Sequence, residues 1–383
     1  MWNRRFSRSG QLLERSFGLC LAGLAILTAG ATASQAGAPD RQAADKPTVL
    51  PDGSVKVPSF VLPPSQYLSP DAVKFLQMRA GKPPASELFD VKTIKALRAA
   101  NDKMLEPLLG IMRQQYPVEV KSETIGGVAV DTITPVGGVA DPTRVLVNLH
   151  GGGFVMCEGT CGLIESMPIA VLGKIRIVSV RYRQAPEHQF PAASEDVARV
   201  YKALLGSYKP ENMGIFGCSA GGVLTAQATA WLAKEKMPLP AAIGIFGAGA
   251  ERGHIGDSHY ISAYVEGSFA APDKGKPVPI PFSNYFEGLD FYDPMISPAF
   301  HPDILAQFPP TLLITGTRAH DLSPAVFTNN ALRKVGVDSE LIVGEGLGHC
   351  YMMNPFLPEA RDAFGEIVKF FDRHLGGEDK TLD

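Results

Sequence analysis

The chain has 383 residues, 45% of them hydrophobic and 20% charged, and a net charge of −3. That composition excludes a disordered or collagen-like chain and carries no basic footprint for nucleic acid. The length suits one sizeable α/β domain with additions, and beyond the N-terminus no run is long and apolar enough to span a bilayer.

Residues 1–33 read as an export signal. Arg4, Arg5, Arg8 and Arg15 form a positive n-region, residues 17–27 are an apolar core too short for a comfortable span, and Ala31-Thr32-Ala33 offers a small-residue cleavage site. The expected location is periplasmic or secreted, with no stable membrane insertion after cleavage; an uncleaved anchor is the competing reading. Residues 34–66 are rich in Pro, Ala, Gly and Asp without periodicity, as a linker would be. Residues 69–115 turn helical, with Leu97, Met104, Leu105, Leu108, Leu109 and Met112 on one stripe. These helices precede the first strands and are expected to cap the mouth of the main domain's site, with plain packing on the core's flank as the alternative. The predicted organisation is a signal at 1–33, linker and cap at 34–117, and a main domain at 118–383 with a cap-contributing insertion near 250–300.

From residue 118 strands and helices alternate. Residues 128–133 alternate apolar and polar, predicting a half-exposed edge strand. Residues 144–150, 175–182, 212–216, 241–246, 311–315 and 340–344 read as strands. Residues 193–205, 223–234 and 359–375 read as helices. Strands separated by helices predict an α/β fold with a mostly parallel sheet covered on both faces. The aromatic-rich stretch at 248–309 breaks the rhythm; it reads either as a pocket lining or as a folded-back surface loop.

Gly217-Cys218-Ser219-Ala220-Gly221 is a G-x-S-x-G pentapeptide lying between a predicted strand and a predicted helix. That context makes a nucleophile elbow, in which a strained turn lifts the serine hydroxyl above the sheet edge. A serine hydroxyl needs a base, and the base needs a group to hold its tautomer. His349 is the expected base: it follows the last predicted strand through Glu345-Gly346-Leu347-Gly348, and the chain order Ser, acid, His fits. Asp321 is the only carboxylate in the loop at 316–321 and is the expected acid, with Asp293 as fallback. His150-Gly151-Gly152-Gly153 follows the strand at 144–150. Its exposed backbone N–H groups suit an oxyanion hole, and Gly151 and Gly152 are assigned as donors, completed by the Ala220 N–H. No Lys-Ser/Thr follows the glycines, so a phosphate loop is excluded. His254 and His259 lack a third nearby ligand, and no metal is expected. Cys157 and Cys161 are close enough to pair, or else stand as two free thiols on a loop, whereas Cys218 and Cys350 read as packing residues.

The pairing of His150-Gly151-Gly152-Gly153 with Gly217-Cys218-Ser219-Ala220-Gly221 resembles the hormone-sensitive-lipase-like bacterial esterases of the α/β-hydrolase superfamily. Residues 182–192, Ser297-Pro298, Phe308-Pro309-Pro310 and 345–349 match further landmarks of that group, so the resemblance covers roughly residues 120–375. It implies a Ser-Asp-His carboxylesterase with an N-terminal helical cap and no cofactor. In one respect the chain departs: that family usually carries its aspartate two positions earlier, where this chain has Ala319. The expected function is hydrolysis of short- to medium-chain esters, with small-molecule esters as partners and an amidase or a lipase as the nearest variant. From another class, a displaced acid is compatible with a catalytically impaired fold used as a small-molecule binding protein. An edge-to-edge homodimer through the closing helix and last strand stays open.

Overall fold

The structure is a computed structural model describing residues 46–79, 92–267, 271–273 and 282–376. The predicted signal at 1–33 lies outside the described residues. Among the described residues, those up to 61 and those from 62 onward fall into separate units. In the first, β1 (Thr48–Val49) and β2 (Val55–Lys56) pair as a short antiparallel hairpin.

The second unit holds, in chain order, α1 (Pro70–Gln77), α2 (Ile94–Gln115), β3 (Val118–Ile125), β4 (Val128–Pro135), β5 (Val145–Leu149), α3 (Thr160–Gly173), β6 (Arg176–Val180) and α4 (Ala192–Leu204). There follow β7 (Met213–Cys218), α5 (Ala220–Lys234), β8 (Ala242–Phe246), α6 (Asp257–Val265), α7 (Pro302–Leu305), β9 (Thr311–Gly316), α8 (Leu322–Lys334), β10 (Ser339–Gly344) and α9 (Pro358–His374). Eight strands form one sheet in the order β10-β9-β8-β7-β5-β6-β4-β3. Only the β3–β4 and β4–β6 pairings are antiparallel. The sheet is therefore mostly parallel, as expected. The segment at 128–133 is not an edge strand: β4 pairs on both sides and β3 is the edge. Its alternation reflects unequal covering of its two faces, not a free edge.

Each central strand is buried on both faces, and alternate residues enter different cores. Val145, Val147 and Leu149 of β5 join one cluster with Val197, Val200 and Tyr201 of α4 and Leu224 of α5. Leu146 joins the other with Ile164 and Met167 of α3 and Phe364, Ile367, Phe370 and Phe371 of α9. This division is the period-two geometry of a strand meeting helices on both sides. α9 shows why its own stripe was readable: Ala360, Ala363, Phe364, Ile367, Phe370 and Phe371 recur at helical spacing and are buried. α3 carries no such stripe because it is buried nearly all round, so its sequence has no polar face to set a period.

The N-terminal helices pack against the main domain. Leu97 and Met112 of α2 are fully buried. Arg98 donates to the carbonyls of Val155 and Ala185, at 2.8 and 2.9 Å. Leu68 packs beneath Gly346, and Ser69 binds Glu359 at the start of α9. In the insertion, Tyr285 is a core residue and its hydroxyl accepts from the Ala193 N–H at 2.7 Å. Tyr260, Tyr264 and Tyr292 are exposed. Among the described residues no helix is long and apolar enough to cross a membrane.

Candidate active site

Ser219 sits between the end of β7 and the start of α5 with φ 59° and ψ −123°. A non-glycine residue rarely adopts such a conformation and keeps it only where its surroundings fix it. Here the Ser219 N–H donates to the Phe246 carbonyl at 2.8 Å. The glycines on either side are required by close approach: a Cβ on Gly217 would lie 2.1 Å from the Leu149 carbonyl oxygen, and one on Gly221 only 1.7 Å from the same atom. The elbow is thus pressed against the end of β5.

His349 and Asp321 come from the ends of β10 and β9. His349 Nε2 lies 2.9 Å from Ser219 Oγ, and His349 Nδ1 lies 2.5 Å from Asp321 Oδ1. The carboxylate accepts the Nδ1 proton, which leaves Nε2 to accept from the serine hydroxyl. Thr315, on β9, donates to Asp321 Oδ2 at 2.5 Å. Burial would raise the Asp321 pKa, but His349, His320 and the hydrogen bonds from His349 and Thr315 outweigh it and hold it at about 2. Burial would lower His349; the facing Asp321 carboxylate and its hydrogen bond, with Glu266 and Glu165, raise it above its ordinary 6.5. Ala319, at the position where the resemblance put an acid, is buried and its N–H turns back to the Gly316 carbonyl. The chain then enters α8 with Asp321 as its N-cap residue, and so the later position meets the imidazole. Asp293 instead accepts from the Met295 N–H at 2.7 Å in a turn.

The glycine loop abuts Ser219: a Cβ on Gly151 would lie 3.4 Å from Ser219 Cβ. Its N–H, however, donates to Glu165 Oε1 at 2.8 Å. The assignment of Gly151 as an oxyanion donor is therefore corrected, since its only N–H is engaged with a buried carboxylate. Among the described residues, the N–H groups of Gly152, Gly153 and Ala220 have no acceptor. Gly152 adopts φ 108°, and a Cβ there would meet the Met156 carbonyl oxygen at 2.3 Å, so only glycine holds this turn. Neighbouring rings fix the loop. His150 stacks on Tyr182 at 4.3 Å, the Tyr182 hydroxyl donates to the His150 carbonyl at 2.7 Å, and Phe154 stacks on Tyr285 at 4.7 Å. Burial lowers the His150 pKa to about 4, which keeps this imidazole neutral.

Two carboxylates escaped the sequence reading. Glu165, on α3, accepts from Gly151 through Oε1 and from Asn148 and the Cys218 N–H through Oε2, at 3.0 and 3.3 Å. It ties the glycine loop to the elbow strand. Three converging donors suit its ionised form, while burial, the largest influence, raises its pKa to about 7. Its signal was present, because it is the only charge in the otherwise apolar α3. Glu266 accepts the His349 N–H at 2.8 Å; nothing in its sequence surroundings marks it. The four cysteines among the described residues are bonded in two pairs, Cys157–Cys161 and Cys218–Cys350. The second pair replaces the expectation that both residues only pack. Among the described residues, the one group of side chains close enough to share a metal ion is His320, Asp321 and His349, and two of these already form the chain to Ser219. The His320 ring lies 4.4 Å from that of His349, and burial lowers its pKa to about 3.

The family model for the alpha/beta hydrolase fold matches residues 146–353. The chain is 29% identical over 259 residues to an acetyl-hydrolase of Streptomyces hygroscopicus, covering 67% of this chain and 83% of that protein. It is 23% identical over 277 residues to an esterase of Acinetobacter venetianus, covering 70% and 86%. The crystal structure of esterase E25 superposes with a TM-score of 0.72 at 31% identity, covering 84% of this chain and 99% of that one. An esterase from the bacterial hormone-sensitive lipase family superposes with a TM-score of 0.69 at 27% identity, covering 80% and 99%. With its glycine loop, serine elbow and sheet order all in place, this chain belongs to the α/β-hydrolase fold family, in its hormone-sensitive-lipase-like esterase group.

Proposed function

We propose that this esterase hydrolyses short- to medium-chain carboxylic esters with Ser219 as nucleophile, His349 as general base and acid, and Asp321 as the group that orients His349. The observation that carries the reading is the unbroken chain from Ser219 Oγ to His349 Nε2 at 2.9 Å and from His349 Nδ1 to Asp321 Oδ1 at 2.5 Å. Ser219 Oγ attacks the ester carbonyl while Nε2 takes its proton. The oxyanion is received by the N–H groups of Gly152, Gly153 and Ala220, which lack other acceptors among the described residues. His349 then protonates the leaving alcohol, and water attacks the acyl-enzyme by the same route. The binding-protein alternative rested on a displaced acid, and the 2.5 Å contact between His349 and Asp321 supports the esterase reading over it.

The test is hydrolysis of p-nitrophenyl esters from acetate to decanoate by the wild type, Ser219→Ala and His349→Ala. The expected result is turnover by the wild type, with an optimum at short to medium chain length, and a loss of about 10⁴-fold or more in each variant. An active Ser219→Ala variant would overturn the assignment. We also propose that residues 1–33 direct export; N-terminal sequencing of protein from the periplasm or medium, beginning near residue 34, is the expected outcome.

A further inference from the structure

We infer that the Cys218–Cys350 bridge is a redox-controlled positioning device, holding His349 on Ser219 when closed and releasing it when opened. The inference rests on the esterase reading of the same site. Cys218 immediately precedes the nucleophile and Cys350 immediately follows the base. They are 132 residues apart in sequence, with Cα atoms 6.4 Å apart. The bridge joins the end of β7 to the loop beyond β10, and in the sheet β8 and β9 lie between those strands. It is therefore a direct covalent link between the loops bearing the two partners in the first proton transfer.

The surroundings are built to admit it. Gly247 follows β8, and a Cβ there would lie 2.6 Å from Cys350 Sγ, 3.1 Å from His349 Cε1 and 3.2 Å from Cys218 Sγ. Any larger residue at the end of β8 would meet the bridge and the imidazole together. Cys218 is almost fully buried, whereas Cys350 is half-buried, so a reductant reaches the bridge from the Cys350 side. The other pair, Cys157–Cys161, spans only four residues and touches the glycine loop through Gly152, not the histidine loop.

Chemistry gives the direction of control. In the bridge, Cys350 Sγ carries no proton and lies 3.6 Å from His349 Nε2, whose lone pair faces the Ser219 hydroxyl. Opened, Cys350 carries an S–H within reach of that lone pair and competes with serine for it. Transfer of that proton to Nε2 gives thiolate and imidazolium, and an imidazolium cannot act as a base. Opening is a two-electron reduction. One thiolate of a small dithiol attacks a bridge sulfur to form a mixed disulfide, and the dithiol's second thiolate then closes on the first. Two cysteine thiols are released and the reductant leaves as its cyclic disulfide. Closure by an oxidised dithiol reverses every step. A reducing compartment holds the esterase open and slow, and an oxidising one closes it.

The test uses the full chain without residues 1–33, prepared under air. Peptide mapping without reduction should yield a Cys218–Cys350 cross-linked peptide. Dithiothreitol should open the bridge and lower kcat for p-nitrophenyl acetate about tenfold or more, as expected for a misplaced catalytic group, with KM little changed. Oxidised dithiothreitol should restore the rate, with far-UV circular dichroism unchanged throughout. The double variant Cys157→Ser/Cys161→Ser should keep the response to reductant. Cys350→Ala should be slow and indifferent to it. The inference is overturned, with the esterase reading intact, by an active protein lacking the cross-linked peptide, by full reduction without loss of rate, or by a Cys350→Ala variant that responds as the wild type does. A mapped bridge with no ester turnover in either state overturns the esterase reading and this inference with it.

Discussion

Asp321→Asn isolates what the acid does, because the two oxygens of Asp321 have different partners. Oδ2 receives the Thr315 hydroxyl at 2.5 Å and Oδ1 receives His349 Nδ1 at 2.5 Å. An asparagine that keeps its carbonyl on Thr315 must turn its NH₂ toward His349. Nδ1 then becomes an acceptor and the ring proton moves to Nε2, where it opposes the serine hydroxyl. The expected loss in kcat is about 10⁴-fold, or about 5 kcal/mol of transition-state stabilisation. Thr315→Val removes the donor that fixes the amide, so Thr315→Val/Asp321→Asn should recover about tenfold over Asp321→Asn, the worth of one hydrogen bond. The pH profile gives an independent reading. His349 works as a neutral base, so kcat/KM falls as pH drops through its pKa. With Asp321 ionised that pKa is raised, and the acid limb of the wild type should lie above pH 6.5. Without the carboxylate, burial dominates and the limb should move to lower pH. Steady-state kinetics on p-nitrophenyl acetate from pH 5 to 9 check both points. A limb that stays in place, or an Asp321→Asn rate above a tenth of wild type, would refute the reasoning.

Glu165→Gln should set an amide N–H against one of the three donors that converge on Glu165; kcat should fall about tenfold with KM little changed, and an unchanged kcat would detach Glu165 from the glycine loop's function. Gly221→Ala places a methyl where the Leu149 carbonyl stands, so the elbow must shift and kcat should fall at least 10²-fold; wild-type kinetics would show that the elbow has room. Phe371→Ala removes a buried ring that packs on Phe216 and Phe370; the urea midpoint should report a loss of about 3–5 kcal/mol, and a loss below 1 kcal/mol would mean that the cavity collapses.

What could be read from sequence depended on whether a residue's role is local. The elbow was legible because its strain needs glycines at fixed offsets from Ser219, and α9 because it has one wet and one dry face. The base was legible because it follows the last strand at a loop with two glycines. Gly151 was misassigned because a run of three glycines does not say which N–H points at the ligand; that depends on Glu165, which is distant in sequence and close only through the packing of α3 on β5. Asp321 was readable as a carboxylate in the right loop. Its contact with His349 depends on how that loop enters α8. The pairing of Cys218 with Cys350 had no local signal at all, since its two ends meet only when the sheet has formed.

The sheet order explains why these distant residues converge. The glycine loop leaves β5, Ser219 β7, Asp321 β9 and His349 β10. Adjacent strands lie about 4.8 Å apart, so β7 and β10 are separated by roughly 14 Å. His349 must therefore come back over the ends of β9 and β8 to reach Ser219. β9 helps by supplying Asp321 beneath the imidazole. β8 supplies no reacting group, and its contribution is room, because Gly247, which follows it, lies beside the imidazole and the two sulfurs. Glu266 accepts from the histidine's backbone N–H, and the Cys218–Cys350 bridge ties the next residue to the elbow. A histidine from beyond the outermost strand thus meets a serine near the middle of the sheet. The return crossing is where this chain has placed the buried Asp321 carboxylate, Gly247 and the Cys218–Cys350 bridge.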